Sequence, residues 1–255
     1  MRKCLPGKIV CLFCFLYAGG VSAQSTSSDS SLLNASLRRI VDFHNQVLGE
    51  NIHLYNGPQN TGYNHLSVGQ PYFMADSVQV GSVFYDGILY RGVRMLYDLV
   101  QDNVVIVRYS NNKEMSEEYK NILRMDLIRD QVSWFNLPGH EFMKLDRDSS
   151  TRNMAGGFYD RVIDGNIKLF IRREKRYVED IKGTELERRF ELHNYYYIKK
   201  AGVFYRLKSK KSVLQLFKDK KKELSAFTKK NKIKFKKNQE NFIIEVSRYY
   251  DTLIK

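Results

Sequence analysis

Alternating apolar and polar stretches joined by short turn sequences constrain this chain more than any other feature. In "ADSVQVGSVFYDGILYRGVRMLYDLVQDNVVIVRYS", Val78, Val80 and Phe84 share one face with Ser82, while Val83 and Tyr85 point the other way. A strand puts successive side chains on opposite faces, so period-two alternation predicts half-buried strands. Asp86-Gly87 between two such runs is a two-residue hairpin signal, because glycine accepts the positive φ that this turn demands. Asp102-Asn103 breaks the next pair. The pattern returns in "GGFYDRVIDGNIKLFIRR", turning at Asp164-Gly165, and in "ELHNYYYIKKAGVFYRLK", turning near Lys200 to Gly202. With intervening strands such as "VSWFNL", these hairpins predict a curved or half-closed, mainly antiparallel sheet, a half-barrel in its most curled form.

Helical spacing brackets this β region. "LLNASLRRIVDFHNQVL" puts Leu33, Leu37, Ile40 or Val41, His44 and Val47 or Leu48 on one face, predicting an N-terminal helix over 32–48. At the other end, "SKKSVLQLF" predicts a helix starting near Ser209. "DKKKELSAFTKKN" predicts a second, capped by Asp219, and "NQENFIIEVSRYYDTLIK" a third, capped by Asn238. The expected class is α+β, with the N-terminal helix and sheet over 32–207 and a Lys-rich helical module over 208–255.

The opening residues predict export. Arg2, Lys3 and Lys8 precede an apolar run from Ile9 to Tyr17, and Val21-Ser22-Ala23 supplies small side chains before a cut between Ala23 and Gln24. This is the layout of a signal peptide over 1–23, followed by a Ser-rich polar spacer over 24–31. The apolar run is shorter than the ~20 residues that a bilayer-spanning helix needs, so no transmembrane anchor is expected after cleavage. Cys4, Cys11 and Cys14 are the chain's three cysteines and all precede the cut, which leaves a mature protein without thiol or disulfide. Its stability must then come from a buried core.

The formal net charge of +14 is concentrated near the C-terminus, where Arg206 and thirteen lysines up to Lys237 face only Asp219 and Glu223. Such a run attracts polyanions. Nucleic acid is not the expected partner. The run is lysine rather than arginine, whose planar fork pairs with bases and phosphates, and its aromatics are spaced to face a core rather than to stack on bases. Solvated helix faces are the plain reading. The alternative is contact with an anionic envelope component, or a partner protein, through Lys220, Lys221, Lys222, Lys229 and Lys230.

Chemical motifs fail on inspection. His140-Glu141 begins H-E-x-x-H, but Lys144 stands where the second histidine belongs. Pro138-Gly139 before it predicts a turn into a strand. "DRDSSTRNMAGG" starts like a calcium loop, but Thr151 occupies the glycine position and Gly157 the place of the bidentate glutamate. No cofactor, metal or catalytic residue is expected. Tyr195 and Tyr197 should lie on one face and Tyr196 on the other, either packed or lining a groove.

Tyr55-Asn56-Gly57, the Gly81 to Gly87 hairpin, Tyr97-Asp98-Leu99 and the stretch from Tyr196 through Leu224 resemble a family of uncharacterised secreted proteins from Bacteroidota. That family carries no assigned activity, so the resemblance implies an envelope destination and transfers no site residue. Together these readings predict an exported, non-enzymatic binding or accessory protein of the periplasm or outer envelope. The alternatives are a carrier holding an apolar envelope molecule on a concave sheet, and an enzyme whose site assembles only in three dimensions.

Overall fold

The structure, a computed structural model, describes residues 53–63, 67–74, 77–109, 122–147, 154–182 and 185–254. The expected leader, the Ala23–Gln24 cut, the spacer and the helix over 32–48 lie outside the described residues. The strands are β1 (Gln79–Tyr85), β2 (Ile88–Asp98), β3 (Asn103–Tyr109), β4 (Ile122–Asp126), β5 (Val132–Leu137), β6 (His140–Leu145), β7 (Gly157–Asp164), β8 (Lys168–Lys182), β9 (Glu185–Lys200) and β10 (Val203–Leu207). They form one open antiparallel sheet ordered β10-β9-β8-β7-β6-β5-β1-β2-β3-β4. Three helices follow: α1 (Lys210–Leu216), α2 (Lys221–Lys230) and α3 (Gln239–Leu253). No cysteine, and hence no disulfide, lies among the described residues.

The turns carry the expected chemistry with one difference. Asp86 (φ 49°) and Gly87 (φ 77°) join β1 to β2 with positive φ at both central residues, the geometry that matches strand twist. Pro138-Gly139 joins β5 to β6, which begins at His140 as the sequence predicts. Gly165, by contrast, opens a three-residue loop rather than a two-residue turn. A Cβ there would run into the Asp251 carboxylate of α3, so glycine is needed for close approach. Asp251 accepts the Ile167 backbone N–H (3.0 Å) in the space this leaves.

One face of the sheet holds the main core. Tyr97 on β2 makes edge contacts with Phe135 (5.0 Å), Phe142 (4.9 Å) and Phe158 (6.1 Å) on β5, β6 and β7. These strands are two to four places away in the sheet, so the sheet bends until its own face packs against itself. β7 pairs with β8 only as far as Ile171, and the Lys175 N–H beyond it bonds the Leu99 carbonyl (2.9 Å). Residues 67–74, where the sequence predicts β structure, form a strap instead. Val68 bonds β9, Pro71 and Phe73 bond the end of β2, and the Lys175 ammonium donates to the Gln70 and Tyr72 carbonyls.

Asp102, in the turn after β2, locks this bend. Its carboxylate accepts from Arg172 on β8 (3.0 Å), from Arg129 (2.6 Å) and from the Tyr97 hydroxyl (2.6 Å). Burial pushes the Tyr97 hydroxyl well above its usual value, so it stays protonated and donates. The helices cover the other end of the same face. Phe217, Leu224, Phe242, Ile243 and Val246 are fully buried against Ile167, Leu169, Ile171 and Ile198.

Two predictions follow from these features. Arg172→Ala removes the more buried of the two cations on Asp102 while Arg129 and Tyr97 remain, and is expected to cost about 1–3 kcal/mol in urea denaturation; no measurable loss would refute the lock. Ala201 sits at φ 49° beside Gly202 in the β9–β10 turn. Because asparagine tolerates the left-handed region better than alanine, Ala201→Asn is expected to add about 0.5–1 kcal/mol by the same measurement.

Candidate functional site

The lysine-rich helices are positioned by what they bury. Ser209 caps α1 by accepting the Ser212 N–H, and Ser212 returns a bond to the Ser209 N–H. Val213 and Phe217 turn into the core, which leaves Lys210, Lys211, Leu214 and Lys218 on the outer flank. On α2, Leu224 and Thr228 face inward, and Lys221, Lys229 and Lys230 face solvent. α3 is capped by Asn238, whose side chain accepts the Asn241 N–H, as the sequence predicts. Phe217 stacks on Tyr250 (4.0 Å) and Phe227 on Tyr249 (4.2 Å), which fixes α1 and α2 against α3.

Asp219 does not cap α2. It sits in a 3-10 turn before the helix, and Lys220 at the N-cap makes no capping bond. The Asp219 carboxylate instead accepts from the Tyr250 hydroxyl (2.9 Å) and pairs with Lys200 (3.6 Å). A tertiary hydrogen bond has displaced the local one.

Two recesses share Lys210 and Leu214. The larger, about 720 Å³, is also lined by Lys211, Gln215, Lys218 and Lys221. The smaller, about 320 Å³, is lined further by Thr228, Lys229, Lys232, Ile233 and Lys234. Seven lysines therefore surround the half-buried Leu214, and no carboxylate among the described residues pairs with any of them. Lys210 also lies over the Phe242 ring (5.9 Å). Like charges gathered without counter-charge favour an anion in their midst, and the lipophilic floor favours one that carries an apolar part.

Of the lysines singled out in the sequence, Lys221 lines the larger recess and Lys229 the smaller. Lys220, Lys222 and Lys230 line neither. Lys210, Lys211, Lys218, Lys232 and Lys234 were missed. The signal was present: Lys210, Leu214, Lys218 and Lys221 recur at helical spacing along the flank beside the Val213–Phe217 core stripe.

The fold also gathers carboxylates and a histidine, but it neutralises them. Asp160 accepts from Arg173 (2.8 Å) and meets His140 Nδ1 (2.8 Å), and Arg173 reaches on to Glu240 of α3 (2.8 Å). Asn194 and the Tyr196 hydroxyl also donate to Glu240. Tyrosines follow the predicted alternation: Tyr196 joins the helix-covered core, whereas Tyr195 and Tyr197 join a cluster around Tyr159 and Phe170. Among the described residues no group of His, Cys, Asp and Glu could hold a metal ion.

Burial pulls the Asp219 carboxyl up, but the Tyr250 hydrogen bond and the Lys200 charge outweigh it and hold the group below the usual carboxylate value. A lowered folded value means a stabilising contribution that is present above the unfolded value and lost as pH falls through the folded one. The melting difference between the native chain and Asp219→Asn is therefore expected to shrink on going from about pH 6 to about pH 3. A constant difference would contradict it. No family model matches the chain, and comparisons with curated proteins and with solved structures return no match.

Proposed function

We propose that this chain is an exported, non-enzymatic binding or accessory protein of the bacterial envelope that engages an anionic lipid headgroup through its lysine-lined recesses. The observation that carries the reading is the set of seven unpaired lysines around Leu214 in two adjoining recesses. Lysine ammoniums bind phosphate as point charges, and Leu214 and Ile233 offer contact to the first methylenes of an acyl chain. Export is supported by the signal-like opening and by the resemblance to secreted Bacteroidota proteins; both favour the periplasm or outer envelope, where anionic lipid is abundant. Nucleic acid is the weaker partner, because the recesses hold no arginine fork and no free aromatic platform.

The carrier reading, with an apolar molecule on a half-barrel's concave face, is disfavoured by what fills that face. Phe135 and Phe142 stack at 4.8 Å and are fully buried with Phe158 and Tyr97, so the protein's own aromatics occupy the place of a ligand. An enzymatic reading meets the same difficulty at Asp160 and Glu240, which Arg173 already engages.

Co-sedimentation with vesicles tests the proposal. Binding is expected to phosphatidylglycerol-containing vesicles and not to pure phosphatidylcholine. With each lysine near an anionic surface worth about 1 kcal/mol, replacing Lys210, Lys218, Lys221 and Lys229 by Gln should weaken it on the order of 10³-fold. Lys222→Gln with Lys230→Gln should retain most of the affinity. Equal binding by the fourfold variant would overturn the assignment.

A further inference from the structure

Phe84 and Trp134 face each other across β1 and β5 on the side of the sheet away from the main core. Their neighbours Val83 and Phe135 are paired in the same register and are fully buried on the core side. The two rings are nearly parallel (10°) with centroids 6.3 Å apart, and both remain partly exposed, so with Met143, which pairs with Trp134 from β6, they make an accessible apolar patch. Trp134 is also a wall of a recess of about 450 Å³ whose polar sides are Asn136, His140, Glu141 and Arg161.

Each of those polar side chains is held from behind. The Asn136 side-chain oxygen accepts the Ser82 N–H (2.5 Å) at a bulge between Gly81 and Ser82. Gly81 permits this approach, since a Cβ there would overlap the Asn136 carbonyl. His140 is fixed through Nδ1 on the buried Asp160 (2.8 Å) and edge-on to Phe73 (4.8 Å), so it braces the rim of the recess. Arg161 is clamped by Glu141 (2.6 Å) and Asp164 (2.8 Å). Immobilised groups bind without a further ordering cost, so this is a preorganised set rather than a random polar surface.

We infer that the Trp134 recess binds a neutral saccharide. The sugar ring's polarised C–H face suits the electron-rich face of an aromatic ring. Its hydroxyls, each both donor and acceptor, suit a mixed set: the Asn136 amide N–H groups, a Glu141 oxygen and the remaining Arg161 donors. Charge selects against the other ligand classes. Arg161 is matched by Glu141 and Asp164, so the recess offers an anion no net attraction, and its polar walls exclude a purely apolar ligand. The site is separate from the lysine recesses and shares no residue with them.

Trp134 is the chain's single tryptophan, so its emission reports on this recess alone. The full exported chain is titrated with cellohexaose, maltohexaose and chitohexaose. A saturable change in emission with at least one of them is expected. Phe84→Thr, which keeps a strand-forming residue, and Glu141→Gln, which leaves the aromatic pair intact, should each weaken that affinity about tenfold with an unchanged melting temperature. The fourfold lysine variant should bind the saccharide as the native chain does. No saturable change with any of the three sugars overturns the inference, as does undiminished affinity in both folded recess variants.

Discussion

The bend of the sheet depends on a carboxylate that has left water. Asp102 lies in the turn after β2, and Arg172 lies on β8, with four strands between β2 and β8 in the sheet. Their ion pair, with Arg129, Tyr97 and the Phe158 N–H, converts a linear order of strands into a closed circuit of contacts. A buried pair of this kind adds little net stability compared with an apolar pair, but it tolerates no alternative register. Gly157 belongs to the same constraint, because a Cβ there would collide with Asp102, Arg172 and Arg129 together. The aromatic core can then be dense: with the bend fixed, Phe135, Phe142, Phe158 and Tyr97 have one arrangement in which they all meet.

Arg173, the next residue on β8, plays the corresponding part at the other end. Consecutive strand residues point to opposite faces, and the arginine pair uses both directions. Arg172 binds the turn after β2, while Arg173 joins Asp160 of the sheet to Glu240 in the first turn of α3. The helices are thus tied to the sheet by charge as well as by the apolar contacts of Phe242 and Val246. This explains how a chain without disulfides in its described residues holds two core clusters together. It also explains why nearby carboxylates do not amount to a catalytic pair, since their charge is already committed.

The alternating hydrophobic strands, the helix start near Ser209 and the cap at Asn238 were legible because their signals are local. The long β8–β9 hairpin was not legible beyond its apolar start. Its upper half, "REKRYVED" against "ELERRFEL", keeps register through cross-strand partners such as Arg188 and Glu179 (2.8 Å), and a charged strand resembles a charged helix or loop in sequence. The strap over 67–74 fell inside the long stretch read broadly as β. Its backbone hydrogen bonds go instead to β9 beyond the reach of β10 and to the end of β2 beyond the reach of β1, and no local pattern encodes that. Asp219 failed as a predicted cap for a related reason: a hydroxyl from α3, far along the chain, competes better than the nearby backbone. Of the lysine recesses, only Lys221 and Lys229 were among the residues chosen by counting charge. The others emerge when the flank of a helix, rather than the density of a run, is taken as the unit.

Both binding proposals place ligands outside the sheet's bend, and packing gives the reason. A concave face crowded by four large rings has no room to receive a guest without losing aromatic contacts worth about 0.5–1.5 kcal/mol per pair. The part of the outer face around Trp134 and the helix flanks, where side chains stay partly exposed, have no such obligation. There the backing is rigid, since Phe135 lies behind Trp134 in the strand and Val213 and Phe217 behind Leu214 in α1, and the outward residues are free to vary in chemistry. A core built to withstand the absence of disulfides is therefore also what makes two shallow surfaces firm enough to recognise a ligand: the same buried rings that forbid binding inside hold the lysines and the Trp134 wall in place outside.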